Sequence, residues 1–379
     1  MGNSSFPMSL ISGRQSLRSP CLCGAKITSV APQSRGERRE RPTQHQTIAL
    51  RIGITLLSQF CLLSWACADD ALTISRVERW SSVFADNETR WTYRVSAERP
   101  FRDRVAWRLT ANQRTLASGE LQARGADDKP GEVILPLRWP KVKEGTVLAA
   151  QLSVSAGEVR HEQTVWIFPR DPFVDRREWL QSLKLRVFDP PGDTLKVLRD
   201  SDVPHEQLRT REALDDVTEG IVIVGEGVSL KKHDGLIDDL RSLTARGVPV
   251  LCLASADGEF SFSSDKPLAV SVQLRRSDVI RELDKRLDSA WWPTGASQLK
   301  GLRMTSVDDE VIARISDDTK HWPWAEWEYE MGAGSGQRES NSIRPRFVWC
   351  GFGIVTAWDD GPTPRYLFAK ILERLSMNL

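Results

Sequence analysis

Short runs in which apolar and polar residues alternate fill the stretch between residues 71 and 170. They are rich in β-branched and aromatic side chains, and turn residues such as Ser118-Gly119 and Ala156-Gly157 separate them. This pattern is typical of strands that bury one face, so it predicts a β-sandwich over residues 69–170. The runs include Leu72–Ile74, Arg90–Val95, Val105–Leu109, Glu132–Leu135, Val147–Val154 and Gln163–Phe168.

The pattern changes after residues 171–182, which we interpret as a linker. Leu183–Phe188, Ile221–Val224 and Val248–Leu253 are apolar runs, as expected for strands that are covered on both faces. Alternation of such strands with helices predicts a doubly wound, mainly parallel sheet over residues 183–379. The predicted helices are Asp193–Asp200, Asp234–Arg246, a helix capped by Ser277, and a last helix that begins at Thr363-Pro364.

The C-terminal strands are predicted to be antiparallel additions at the edge of this sheet. Gly351-Phe352-Gly353 is expected to form the turn of the last hairpin. The predicted fold class is therefore α/β plus all-β, with an immunoglobulin-like sandwich before a doubly wound sheet. The predicted edge strands are Val311–Ile315, Trp327–Met331, Phe347–Cys350 and Ile354–Trp358.

The N-terminal 68 residues predict a disordered basic leader followed by a signal peptide. Ile52–Ala68 contains no charged residue, follows Arg51 and ends in small residues, so we expect cleavage after Ala68. A transmembrane anchor, for which the run is short, and a lipoprotein acylated at Cys67 remain alternatives. We expect a periplasmic, cell-surface or secreted protein with no membrane span after cleavage.

Composition and charge agree with a folded soluble protein, with 40% hydrophobic and 27% charged residues. Residues 1–51 hold eight of the 52 Lys and Arg and two of the 51 Asp and Glu. Residues 52–379 therefore hold 44 basic and 49 acidic residues, a net charge of −5. An acidic mature chain offers no electrostatic reason to bind nucleic acid. After cleavage the remaining cysteines are Cys252 and Cys350, both in apolar runs that predict buried free thiols. A single disulfide is the alternative.

Three segments resemble a class I glutamine amidotransferase-like domain: Ile221–Gly227, Gly247–Leu253 and Phe347–Ala357. The segment Thr164–Pro169 resembles the end of β-sandwich modules in large exported glycoside hydrolases. In some of those proteins an amidotransferase-like module without catalytic residues follows the sandwich. The two resemblances cover most of residues 71–379 and imply a flavodoxin-like sheet with an accessory role.

The active amidotransferases need a Gly-x-Cys-x-Gly turn and a histidine that activates the cysteine. Here Cys252 precedes the expected turn, and Ala254 and Ala256 replace the glycines around Ser255. His321 is the single histidine after Cys252. We therefore assign no catalytic residue and expect the ammonia-releasing chemistry of the family to be absent.

Four polar residues are weak catalytic candidates because they follow predicted strands, where open sheets often bind ligands. They are Glu226, Ser255, Asp257 and Asp359. The histidines show no ligand spacing, so we expect no metal. Gly225-Glu226-Gly227 lacks a phosphate-binding pattern, and we expect no cofactor.

An aromatic cluster offers candidate ligand-binding residues: Trp322, Trp324, Trp327 and Tyr329. Exposed aromatic faces bind sugar rings, although the same rings could instead cover the edge of the sheet. The leading hypothesis is an exported, non-catalytic binding or accessory protein whose partner is a polysaccharide or an envelope protein. The alternatives are an atypical hydrolase with its site at the carboxyl edge of the sheet, and an envelope scaffold that binds proteins through the sandwich.

Overall fold

The computed structural model describes residues 72–78, 80–97, 100–126, 129–261, 269–288, 303–305, 311–313, 322–329 and 345–377. Over these residues the chain is a mixed α/β protein with substantial sheet content, and it contains both parallel and antiparallel strand pairs. The described residues belong to one compact unit, Asp69–Leu379. Residues 1–68 lie outside the described residues, so the leader and signal peptide remain predictions.

Two sheets form the N-terminal part. Its strands are β1 (Thr73–Arg76), β2 (Ser82–Phe84), β3 (Glu88–Ser96), β4 (Phe101–Ala111), β5 (Arg114–Gly125), β6 (Gly131–Arg138), β7 (Leu148–Ala156) and β8 (Val159–Phe168). One sheet has the order β1-β3-β6 and the other β2-β8-β7-β4-β5. Buried and exposed positions alternate along β6, so each sheet turns an apolar face inward. Side chains from both sheets, such as Leu135 and Leu109, share one core.

The next strands along the chain are β9 (Arg186–Phe188), β10 (Glu206–Leu208), β11 (Val222–Val224), β12 (Val250–Cys252), β13 (Glu259–Ser261), β14 (Ala269–Arg275), β15 (Arg303–Thr305), β16 (Val311–Ala313), β17 (Trp324–Tyr329) and β18 (Arg346–Cys350). A seven-stranded sheet has the order β10-β9-β11-β12-β18-β17-β14. Its first five strands are parallel, whereas β17 and β14 are antiparallel to their neighbours. Strands β13, β15 and β16 form a separate small sheet.

Helices cover both faces of the seven-stranded sheet. They are α1 (Arg177–Ser182), α2 (Asp193–Asp200), α3 (Leu236–Ala245), α4 (Asp278–Leu283) and α5 (Pro362–Ser376). Leucines of α3 pack into the core on one face, and the other four helices pack on the opposite face. The segment predicted as a linker, residues 171–182, contains α1 and buries Phe173 and Leu180 in this second core.

The prediction of the last hairpin is wrong. Strand β18 lies inside the sheet, parallel to β12 and antiparallel to β17, rather than in an antiparallel edge. Residues 354–358 form turns instead of a strand, with the Ala357 N–H donating to the Gly353 carbonyl at 3.1 Å. The reason is that the N–H groups of Val355 and Thr356 donate to the buried carboxylate of Glu226, so they are not available to a neighbouring strand.

A buried carboxylate joins the N-terminal sheets to the rest of the unit. Asp288 accepts hydrogen bonds from the backbone N–H groups of Ser81 and Ser82, at 2.8 and 2.9 Å, and from both serine hydroxyls. The Asp288 N–H donates to Thr363 Oγ1 in α5 at 3.1 Å. A carboxylate with this many donors orders the groups around it, so the junction is a fixed contact.

Candidate functional site

Four parallel strands end at one edge of the seven-stranded sheet, and their loops carry the polar residues of interest. Asp189 directly follows β9, Glu226 comes two residues after β11, and Ser255 lies three residues after β12. The loop after β18 reaches the same edge. Carboxyl ends of parallel strands are the usual ligand-binding edge of open α/β sheets, so this is where a site would form.

Glu226 fastens the loop that follows β18. Its carboxylate accepts hydrogen bonds from the Val355 N–H at 2.7 Å, the Thr356 N–H at 2.9 Å and the Thr356 hydroxyl at 2.5 Å. The side chain is buried, and burial raises the pKa of the carboxyl group, while the bonds from Thr356 and Val355 oppose that rise. The Glu226 carboxylate is therefore already hydrogen-bonded to three donors of the protein itself.

Asp189 lies four residues before helix α2 and was not among the predicted site residues. Its Oδ2 accepts a hydrogen bond from the Leu195 N–H at 2.9 Å, in the first turn of α2. Its Oδ1 is buried and has no hydrogen-bond partner among the described residues. Burial raises the pKa of Asp189, and the bonds from the start of α2 oppose the rise. The signal in the sequence was an aspartate between an apolar strand and a helix start, which also marks an ordinary helix cap.

The loop after β11 also contacts the start of α2. The Glu226 N–H donates to Thr194 Oγ1 at 2.9 Å, and the Gly227 N–H donates to the Ala254 carbonyl at 2.8 Å. Gly225 lies against Asp189, because a Cβ atom at position 225 would be 2.3 Å from Asp189 Oδ1. Glycine is therefore required there by close packing of neighbouring loops.

Ser255 and the two cysteines lie inside the protein. Ser255 is 0% exposed, and its hydroxyl has no partner among the described residues. Cys252 and Cys350 are free thiols in the cores on opposite faces of the sheet, so the predicted free thiols are present. Burial raises the pKa of Cys252 to about 12 and also raises the pKa of Cys350. Protonated buried thiols are poor nucleophiles.

The remaining two catalytic candidates have separate partners. Asp257 accepts a hydrogen bond from the Ser229 hydroxyl at 2.6 Å. Asp359 is 81% exposed and forms an ion pair with Arg365. The four candidates thus have different partners in the fold: Glu226, in the loop after β11, is hydrogen-bonded to the loop after β18, and Ser255 is in the interior. This arrangement provides no nucleophile beside a base.

The aromatic cluster is mostly core. Trp324, Trp327 and Tyr329 are at most 1% exposed, and Trp327 packs on Phe347 with ring centroids 5.0 Å apart. These three rings therefore cannot present a face to a sugar, which corrects the expectation of an exposed platform. The physical reason is that β17 lies between two strands and has both faces covered. Trp322 is partly buried, and the Arg276 guanidinium lies 5.1 Å from its ring centroid.

Neither a metal-binding cluster nor a membrane-spanning helix is present in the described ranges. Within them, no group of three or more His, Cys, Asp or Glu residues could hold a metal ion. No helix in the part of the chain that the structure describes is long and apolar enough to cross a membrane. His321, beside the aromatic cluster, lies outside the described residues.

Comparison with known proteins gives weak similarities. No protein-family model and no curated protein matches the chain. A Paenibacillus sp. cycloisomaltooligosaccharide glucanotransferase has 9% identity and a TM-score of 0.24, with 48% of this chain and 27% of that chain covered. A family 123 glycoside hydrolase from Clostridium perfringens has 11% identity and a TM-score of 0.19, with 48% of each chain covered.

A third solved structure, the DNA glycosylase AlkC from Pseudomonas fluorescens, has 5% identity and a TM-score of 0.20. The match covers 26% of this chain and 30% of that chain. This chain therefore spans less than half the length of each of the three proteins.

Proposed function

We propose that the protein is an exported, non-catalytic binding or accessory protein that acts on or near polysaccharide. The observation that supports the proposal is the set of hydrogen bonds at Glu226. At the carboxyl edge of the sheet, its carboxylate holds the loop after β18 in place. A catalytic carboxylate must be free to reach substrate or to exchange a proton with it. Glu226 instead acts as a structural link between two loops.

The same proposal includes the finer description of the fold. We infer an immunoglobulin-like sandwich before an amidotransferase-like sheet that has lost its catalytic residues. Two packed sheets in the N-terminal part, and five parallel strands with helices on both faces in the rest, support this inference. The buried position of Cys252 also supports the loss of the nucleophile.

Turnover assays test the proposal. The purified full-length protein is incubated with a panel of glycosides, esters and amides, beside Glu226→Gln and Ser255→Ala variants. We expect no product above background from any of the three proteins, together with retention of the wild type on a polysaccharide. Product formation that both substitutions abolish would overturn the non-catalytic function.

An atypical hydrolase remains the second candidate because two buried polar atoms at the carboxyl edge have no partner in the described part of the chain. They are Asp189 Oδ1 and Ser255 Oγ. Perturbed, unsatisfied groups concentrate at functional sites, which favours this alternative. Against it, Ser255 is fully buried and would have to move to meet a substrate. Loss of turnover in Ser255→Ala would support the hydrolase.

The third candidate, a protein-binding scaffold, requires a broad exposed apolar patch on the sandwich. The exposed large apolar side chains found there are Val77, Leu116 and Ile134. Leu116 is on β5, in a different sheet from Ile134 on β6. Scattered single apolar residues are ordinary on protein surfaces, so they do not favour a scaffold.

A further inference from the structure

The outer face of the five-stranded sheet contains a polar trough. Val105 and Leu109 of β4 point into the core, so Ala106 and Arg108 between them point outward. Strand pairing places Ala106 between Glu120 and Ser155, and it places Arg108 between Ser118 and Ser153. Small side chains alternate with long ones across neighbouring strands, which leaves a depression between the long ones.

The trough has the volume of a small-molecule site and a mainly polar lining. Its volume is about 530 Å³, which falls within the range of ligand pockets. Alanine, glycine and serine residues form much of its lining, whereas two arginines and a glutamate supply its charged groups. The lining residues are Ala106, Trp107, Arg108, Ser118, Gly119, Glu120, Ser153, Ser155 and Arg160.

The charged side chains of the trough differ in whether they already have a hydrogen-bond or ion-pair partner. Arg160 donates to Ser153 Oγ at 2.8 Å and pairs with Glu162 at 2.5 Å. Glu120 lies 3.9 Å from Arg104, an exposed and weak pair. Arg108 has no carboxylate within ion-pair distance among the described residues. Among the described residues that line the trough, the Arg108 guanidinium is thus the cation available to a ligand.

The chemistry of the lining identifies the ligand class. A guanidinium binds a carboxylate or a sulfate through paired N–H donors. Serine hydroxyls both donate and accept, and a carboxylate such as Glu120 accepts from hydroxyl groups. We propose that the trough binds a saccharide that carries a carboxylate or sulfate group. Arg108 pairs with the anionic group, and the serines and Glu120 form hydrogen bonds with the hydroxyl groups of the saccharide. This inference rests on the proposed binding function and names its site and ligand.

Calorimetric titration of the purified full-length protein tests the trough. The probes are oligogalacturonate for the carboxylate, sulfated dextran oligosaccharide for the sulfate, and neutral dextran oligosaccharide as the uncharged reference. Arg108→Gln removes the charge, and Ser155→Leu fills the floor. Arg102→Gln is the matched control, because Arg102 lies on the same face of β4 with the same charge but outside the trough lining.

We expect at least one anionic probe to bind, and the probe that binds identifies the anion as carboxylate or sulfate. Arg108→Gln and Ser155→Leu should weaken that binding about tenfold or more, while Arg102→Gln stays within about twofold of the wild type. Absence of binding to both anionic probes would overturn the inference. Equal binding by all variants would also overturn it while leaving the binding function intact, whereas turnover in the assays above would remove that function.

Discussion

The carboxyl edge of the seven-stranded sheet and the trough on the five-stranded sheet hold similar polar residues in opposite situations. At the edge, Glu226 is buried and accepts three hydrogen bonds from the chain. In the trough, Arg108 and Glu120 are exposed, and Arg108 has no ion-pair partner in the described part of the chain. The comparison teaches that burial and existing partners, more than residue type, decide whether a polar group is available to a ligand.

The comparison predicts opposite effects of mutation in the two regions. Substitutions of Glu226 and Gly225 at the edge should lower stability and leave saccharide binding intact in the protein that remains folded. Substitutions in the trough should change binding and leave stability nearly intact, because exposed positions without special contacts tolerate replacement. The predictions below follow this contrast from the largest expected effect to the smallest.

The largest effect is expected at the contact that joins the N-terminal sheets to the rest of the unit. Asp288→Ala leaves the N–H and hydroxyl groups of Ser81 and Ser82 without their acceptor. We expect a loss of about 3–5 kcal/mol in the free energy of unfolding. Hydrogen exchange should show reduced protection in both β3 and β11. Reduced protection in β2 alone would mean that Asp288 does not couple the N-terminal sheets to the rest of the unit. The exposed Asp360→Ala variant is the control.

Glu226→Ala should be the next most harmful change. It removes the acceptor for two backbone N–H groups and a hydroxyl, and we expect a loss of about 3 kcal/mol measured by urea denaturation. Glu120→Ala in the trough, the matched carboxylate, should lose less than about 0.5 kcal/mol. Equal losses in the two variants would contradict the contrast between the regions.

Gly225→Ala tests how closely the loops of the edge are packed. The new methyl group would lie 2.3 Å from Asp189 Oδ1 and 2.5 Å from Asp189 Cγ. Because Asp189 is buried and holds the start of α2, it cannot move aside freely, and we expect a loss of about 1–3 kcal/mol. The measurement is the shift in thermal midpoint, and an unchanged midpoint would show that the loops are loosely packed.

The pH dependence of stability sharpens the contrast further. Burial raises the pKa of Glu226 above its usual value of 4.5, so the folded state holds the proton more tightly than the unfolded state does. The associated stabilisation is complete below pH 4.5 and is lost as the pH rises through the folded pKa. Relative to Glu226→Gln, the wild type should therefore gain stability as the pH falls from 7 toward 4.5.

Asp189 also has a raised pKa, but it is present in both proteins, so its contribution cancels in the difference. Urea denaturation of wild type and Glu226→Gln at several pH values measures the effect. A constant difference between the two proteins would show that Glu226 titrates alike in the folded and unfolded states.

Ser255→Ala should have the smallest effect. The change removes a buried hydroxyl that has no partner among the described residues, so we expect stability to be unchanged or increased by up to about 1 kcal/mol. Saccharide binding should also be unchanged. A clear loss of stability would reveal a hydrogen bond to the Ser255 hydroxyl. Ser255 would then help to stabilise the carboxyl edge.

Sequence alone determined the elements that have strong periodic patterns. The helix Asp193–Asp200 has the predicted bounds, and β9, β11 and β12 lie inside predicted apolar runs. Local patterns suffice there because a buried strand or an amphipathic helix needs its apolar residues at fixed spacing. The predicted runs did not include β2 or β5, since Ser82–Phe84 is short and Arg114–Gly125 is largely polar.

Only the tertiary structure decided which polar and aromatic residues are available. The sequence identified Glu226 but could not show that Thr356, far along the chain, binds its carboxylate. It identified Trp324 and Trp327 but could not show that both faces of β17 are covered. No local pattern marks Arg108 and Ser155, because the pairing of β4 with β7 brings them together and spacing along the chain does not. Whether a side chain is available to a ligand depends on long-range contacts, and a local sequence pattern does not reveal those contacts.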